Sequence, residues 1–189
     1  AWNRTYGLPV LISNCSNNYG PWQHPEKLIP TVIAAGLSGR PIPVYGDGSN
    51  VRDWLHVDDH VSALIRIAGQ GQIGETYLIG GDAERSNLET VQSICRALDR
   101  LAPDSAGNHA RLISYVTDRP GHDFRYAVDH ARLTAETGWQ PEHDFDDAIT
   151  ATVAWYLANR DWWQSAGSDR LGLGRTAEVA SAMQTGGMK

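Results

Sequence analysis

A chain of 189 residues has the length of one ordinary domain. With 41% hydrophobic and 20% charged residues it reads as a folded globular protein, not a disordered one. A formal net charge of -6 argues against a nucleic-acid binder, which needs a basic face, and no apolar run approaches the ~18–20 residues of a membrane span.

"AWNRTYG" reads as the end of a helix stopped by Gly7 and Pro9. The chain opens on Ala1, with no apolar leader and no small-residue cleavage site, so a truncation without a signal peptide is expected. "PVLISN" (9–14) is a short β-branched apolar run, expected as a buried strand. After it, "NCSNNYGP" crowds three Asn, a Ser, a Cys and a Tyr ahead of a Gly-Pro turn. α/β folds place ligands at strand ends, and amides both donate and accept. Capping of the strand end is the plainer use of the same residues.

From Lys27 to Leu37 apolar residues recur at helical spacing (Leu28, Val32, Ala35), with Pro25 just before and Gly39 after. Glu26, Lys27 and Leu28 begin that helix, where free N–H groups and the positive dipole end favour an anion. "PIPVYGDGSN" (41–50) is a short strand and a turn. "VRDWLHV" (51–57) is a second strand, with Val51, Asp53, Leu55 and Val57 on one face and Arg52, Trp54 and His56 on the other. Asp58 is the expected N-cap of a helix with Val61, Leu64, Ile65 and Ala68 as its apolar stripe. His56 and His60 have the spacing of a zinc helix, but Val57 stands where its Glu belongs, so no metal site is expected.

"ETYLIGG" (75–81) is a further strand. Ser86 and Glu89 form a capping box opening a helix with Val91, Ile94, Cys95, Leu98 and Leu101 on one stripe. "LISYVT" (112–117) is a strand and "DRPGHD" (118–123) the loop after it. Phe145, Ile149, Val153 and Leu157 mark a last amphipathic helix, which Trp139, Trp155, Trp162 and Trp163 are expected to pack. Residues 164–189 are Gly/Ser/Ala-rich and expected as a loose tail. Cys15 and Cys95 are expected as free, buried thiols. Alternating strands and helices give an α/β class. No strand is followed by a Gly-x-Gly-x-x-Gly turn, so a complete dinucleotide-binding unit is not expected.

Five motifs in order, "YGLPVLISNCSNNYGPWQHPEKLIP", "RPIPVYGDGSNVRDWLHVDDH", "GETYLIGG", "DRPGHDFRYAVD" and "TVAWYLANRDWW", resemble the C-terminal half of dTDP-glucose 4,6-dehydratases, in the extended short-chain dehydrogenase/reductase superfamily. The resemblance covers residues 1–163. It implies the substrate-binding part of that fold with the last Rossmann strand or strands and no complete Rossmann domain. In the family, NAD takes hydride from the sugar C4, water is lost across C5 and C6, and the hydride returns to C6. A Tyr-x-x-x-Lys pair and an Asp/Glu pair on the Rossmann half do the chemistry. None of these is in this sequence, so no catalytic residue is assigned and the chain alone is expected to be inactive.

The resemblance also implies roles at matching positions. Cys15 and Asn18 face the nicotinamide of NAD, and Asn17 lies near the sugar diphosphate. Glu26, Lys27 and Leu28 contact the substrate, and Pro43 and Tyr45 wall the thymine. Arg52 and Arg119 hold the pyrophosphate, and His122 contacts the nucleotide. The competing reading makes each Arg half of an ion pair, Arg52 with Asp53 and Arg119 with Asp118 or Asp123. Leu78 departs from the family, which often has Asn there to reach the diphosphate. A homodimer in the complete enzyme, a cytoplasmic location, and no membrane or nucleic-acid partner are expected. Another nucleotide-sugar epimerase or decarboxylase, or a non-catalytic nucleotide-binding module, is the alternative. Loss of a packed neighbour is expected to expose apolar surface and favour association.

Overall fold

The structure, a computed structural model, describes residues 1–165. The expected tail lies outside the described residues from residue 166 onward. The first element is a short helix α1 (Trp2–Tyr6), closed by Gly7 in the left-handed region at φ 67°. Strands β1 (Ile12–Cys15) and β2 (Asn17–Tyr19) follow, then helix α2 (Leu28–Leu37), β3 (Ile42–Tyr45) and β4 (Val51–His56). Helix α3 (Val57–Gln70) leads to β5 (Thr76–Ile79), β6 (Glu84–Ser86) and α4 (Asn87–Leu101). A 3-10 turn (His109–Leu112) precedes β7 (Ile113–Val116), β8 (Arg125–Tyr126), α5 (Ala131–Thr137), α6 (Phe145–Ala158) and α7 (Arg160–Ser165).

The strands pair mostly in parallel: β1 with β5, β2 with β4, β3 with β7 and β8 with β4, while β6 is antiparallel to β4. Strand β4 is the hinge of the packing because both its faces are buried, which simple alternation of side chains permits. Trp54 enters a larger core with Ile33, Ile42, Ile94, Leu98, Ile149 and Tyr156. Leu55, one residue on, enters a smaller core with Ala63, Ile67, Tyr77, Ile79, Leu133 and Trp139. The capping box forms as expected: Ser86 Oγ accepts from Glu89 N–H at 3.1 Å, and Glu89 accepts from Ser86 N–H at 2.8 Å.

Several expectations are corrected. Strand β1 is not buried: Ile12, Ser13 and Asn14 are exposed. Its register with β5 puts Ile12, Asn14, Thr76 and Leu78 on one sheet face, and all four are exposed. The cap of α3 is His56, whose ring accepts from Asp58 N–H at 3.4 Å, so Asp58 is inside the helix. The stripe expected to bury α3 is the exposed one. Val61, Leu64 and Ile65 are 48%, 39% and 68% exposed, while Asp59, Ala63 and Ile67 face the core. Leu101, too, is exposed. Trp139 packs in the smaller core, edge-on to His130, and not on α6. Both thiols are free; Cys95 is buried and pushed up to about 11 by desolvation, but Cys15 is only half-buried. No helix among the described residues is long and apolar enough to cross a membrane.

Candidate functional site

A cleft of about 390 Å³ opens between α2, β3, β4, the start of α4 and the 118–123 loop. Its walls include Asn17, Glu26, Lys27, Leu28, Pro43, Tyr45, Arg52, Arg119 and His122, which are all nine of the residues expected to bind substrate. Five separate stretches of chain deliver them. Asn17 comes from the first position of β2, paired with Trp54 of β4. Pro43 and Tyr45 alternate along β3 and so share a face.

Arg52 is the deepest cation of the cleft, 8% exposed. Its Nη1 donates to Val51 O at 2.6 Å and its Nη2 to Asp123 O at 2.8 Å. The competing ion pair does not form: Asp53 points to the opposite face and accepts from Gly81 N–H and Ala83 N–H, each at 2.9 Å. Among the described residues the hydrogen bonds of this guanidinium go to carbonyls, which leaves further donors for an anion. Asp118 is likewise occupied. It accepts from Arg119 N–H at 2.8 Å and pairs with His122 Nδ1 at 2.7 Å. The His122 hydrogen bond holds the Asp118 carboxyl below the usual range. An ionised Asp118 fixes the proton on His122 Nδ1 and leaves Nε2 as the uncommitted ring nitrogen.

The N-terminus of α2 borders the same cleft. Lys27 stands at the N-cap with no side chain closing the helix; its own N–H goes to His24 O and Pro30 has none, so the N–H groups of Leu28 and Ile29 are left for an anion. Lys27 Nζ lies 3.4 Å from Glu26 Oε1, an exposed and weak pair that a more strongly charged ligand can outcompete.

Cys15, at the end of β1, and Asn18, in the middle of β2, lie outside this cleft. Asn18 Nδ2 donates to Ser16 O at 3.0 Å and lies 3.4 Å from Cys15 Sγ, and Asn18 Oδ1 is 2.6 Å from His60 Nδ1. The structure therefore separates the two residues expected at the cofactor from the nine expected at the substrate. Leu78 is also outside the cleft, on the exposed face of β5, because Tyr77 and Ile79 take the core side. The departure at that position does not alter the cleft.

Four residues of the cleft were not anticipated: Asn87, Trp54, Thr31 and Val32. Asn87 is the first residue of α4, carried to Arg52's side by the antiparallel pairing of β6 with β4 and by its N–H bond to Asn50 O at 2.9 Å. No local pattern in the sequence announces that. The metal question also takes a different form. Among the described residues, His56, Asp58 and His143 bring ligand atoms within 4.8 Å of one another. The His56 and His143 rings are stacked at 4.1 Å and 24°, so their in-plane lone pairs run side by side and do not converge on one ion.

The family profile named GDP-mannose 4,6 dehydratase matches residues 1–152. The chain belongs to that dehydratase family. Among its relatives, dTDP-glucose 4,6-dehydratase of Escherichia coli is 51% identical over 181 residues, covering 92% of this chain and 50% of the relative. The structure of dTDP-glucose 4,6-dehydratase from Bacillus anthracis in complex with NAD matches with a TM-score of 0.78 and 44% identity, over 87% of this chain and 50% of that one. The Streptomyces venezuelae dTDP-glucose 4,6-dehydratase with NAD and TYD bound matches with a TM-score of 0.79 and 44% identity, over 87% and 49%. The chain thus spans about half the length of the curated relatives it matches. Of the two residues expected at the cofactor, Asn18 has hydrogen-bond partners on both atoms of its amide.

Proposed function

We propose that this chain forms the nucleotide-sugar-binding half of a dTDP-glucose 4,6-dehydratase. It grips the nucleoside diphosphate in the α2–β3–β4 cleft and carries out no turnover alone. One observation carries this reading: the cleft gathers Arg52, whose guanidinium is held by backbone carbonyls, together with Arg119, an open helix N-terminus, and the Pro43–Tyr45 wall. The arginines and helix end suit a diphosphate. Proline and tyrosine suit the flat face of a base, where stacking on an aromatic contributes ~1–3 kcal/mol.

Each expected residue then has a task. Arg52 and Arg119 neutralise the diphosphate, Lys27 and the first N–H groups of α2 complete its shell, and Asn17 and Asn87 offer amides to sugar or phosphate oxygens. His122 presents Nε2 to the nucleotide. Cys15 and Asn18 supply at most one wall of a nicotinamide site. NAD in the complete enzyme serves as the hydride carrier, and a homodimeric cytoplasmic enzyme is the corresponding whole. None of the cleft residues is placed as the base or acid of a dehydration.

Calorimetry of this chain with dTDP, GDP and NAD tests the reading. Binding of dTDP, weaker binding of GDP and no binding of NAD is the expected pattern. GDP serves as a control because the family profile carries a GDP-mannose name while half-identical relatives carry dTDP-glucose names. Tight NAD binding, or no dTDP binding, overturns it.

A further inference from the structure

Trp22 lies in the turn between β2 and α2 with φ at 64°. A bulky residue is strained in this left-handed region. Proline at the second place of a turn and a positive φ at the third are the pattern of a type II turn, whose third place ordinarily takes glycine or asparagine. Here a tryptophan takes it, with 63% of its surface exposed. Burial therefore does not compensate the strain; neighbouring rings do. The indole stands edge-on to Trp155 at 4.9 Å and to Trp162 at 5.2 Å, and those two lie 5.4 Å from each other.

The next residue extends the anchorage. Tyr156 Oη donates to Gln23 O at 2.5 Å, and Gln23 Nε2 donates to Asn18 O at 2.7 Å. The turn is thus fastened on one side to α6 and α7 and on the other to β2. What it joins is the cleft itself. Asn17 enters the cleft at one end of this segment, and Glu26, Lys27 and Leu28 enter at the other. No residue of α6 or α7 lines the cleft.

We propose that Trp22 is a positioning residue: its indole, pinned by Trp155 and Trp162, holds a strained turn that sets the distance between Asn17 and the N-terminus of α2. The diphosphate grip then depends on an aromatic cluster that never touches the ligand. The proposal rests on the reading of the cleft as a nucleoside-diphosphate site, but its structural half does not. Two substitutions separate the forces. Trp22→Gly removes the indole and also removes the strain, because glycine accepts this φ. Trp162→Leu removes a supporting ring far from the cleft and leaves Trp22 in place.

Both variants, with Trp22→Phe as the conservative control, are measured for dTDP affinity by calorimetry, for melting temperature, and for amide hydrogen exchange over residues 17–28. Trp22→Gly and Trp162→Leu are each expected to weaken dTDP by about fivefold or more, on the scale of an aromatic pair, and to speed exchange across 17–28. Trp22→Phe is expected to restore most of the affinity. A melting temperature that falls while affinity stays within about twofold of the parent marks a merely structural residue and overturns the proposal. If the parent itself binds no dTDP, the cleft reading fails separately. Exchange then decides the turn alone: faster exchange in both variants supports the anchoring role, and unchanged exchange overturns it.

Discussion

Arg52 and Asp53 are neighbours on β4 that never meet. The carboxylate of Asp53 is consumed by the N–H groups of Gly81 and Ala83, and the guanidinium of Arg52 is held by the carbonyls of Val51 and Asp123. A strand alternates its side chains, so sequence adjacency puts these two on opposite faces. The acid builds a turn while the base faces the cleft.

Replacing Arg52 with Lys keeps the charge but loses the planar fork that spans two carbonyls and, in the proposed function, a phosphate. Hydrogen bonds to charged groups contribute ~1.5–3 kcal/mol, so dTDP affinity should fall by about 10- to 100-fold, with some loss of melting temperature. Arg119 is exposed. Arg119→Ala should weaken dTDP in the same direction while leaving the melting curve in place. Calorimetry and thermal melts on the two variants check both halves, and intact affinity in Arg119→Ala removes that residue from the phosphate site.

Asp53→Ala should behave in the opposite way. It leaves the N–H groups of Gly81 and Ala83 without their acceptor, at a cost of about 2–3 kcal/mol. Urea unfolding reads the loss directly. Nucleotide affinity measured well below the midpoint should change far less than in Arg52→Lys.

The stability of the chain should decline on mild acidification. Burial, and then the neighbouring His143, lower the pKa of His56 below its ordinary value, and burial lowers that of His60. Below about pH 6.5 the unfolded chain takes up protons that the native chain refuses, so stability falls as pH drops toward the lowered native values. Carboxylates held low, such as Asp118, add their loss only further down. Melting temperatures at constant ionic strength between about pH 7.5 and 5.5 test this. His56→Asn, which can still cap α3, should flatten the profile.

The bare stripe on α3 should make the isolated chain associate. Val61, Leu64 and Ile65 lie along one helix face, and the Ile12–Leu78 sheet face is exposed as well. Contiguous apolar surface of this kind drives self-association. Sedimentation over a range of concentrations should show it, and Ile65→Glu should reduce it without lowering the melting temperature, since Ile65 is 68% exposed. A monomer at all concentrations contradicts it.

What the sequence could reveal differs element by element. Helix α4 was legible apart from Leu101, because Ser86 and Glu89 cap it through local bonds and Val91, Ile94, Cys95 and Leu98 of its stripe are buried in the larger core. The stripe of α3 was equally regular, yet it points outward. Periodicity tells which residues share a face and not what covers that face. Strand β8 is two residues long and α5 seven, too short to carry a period. Most residues of the cleft were named from the family's motifs; the residues alone offered amides at a strand end and, at Glu26–Leu28, a helix start that favours an anion. Asn87 escaped because its place depends on β6 pairing with β4, a relationship between distant segments.

The cleft is assembled from stretches around residues 17, 26–32, 43–54, 87 and 119–122. No single stretch can form it early, because contacts between remote segments come only once the loops between them are closed. If the cleft takes a nucleotide as proposed, that binding is a certificate of completed folding. A ligand that recognises only the finished cleft also stabilises it by mass action, by about 2.7 kcal/mol at a hundredfold excess over its dissociation constant. Lesions far from the cleft, in either core, should then be partly rescued by dTDP in the medium, and the size of that rescue would rank how native each damaged chain remains.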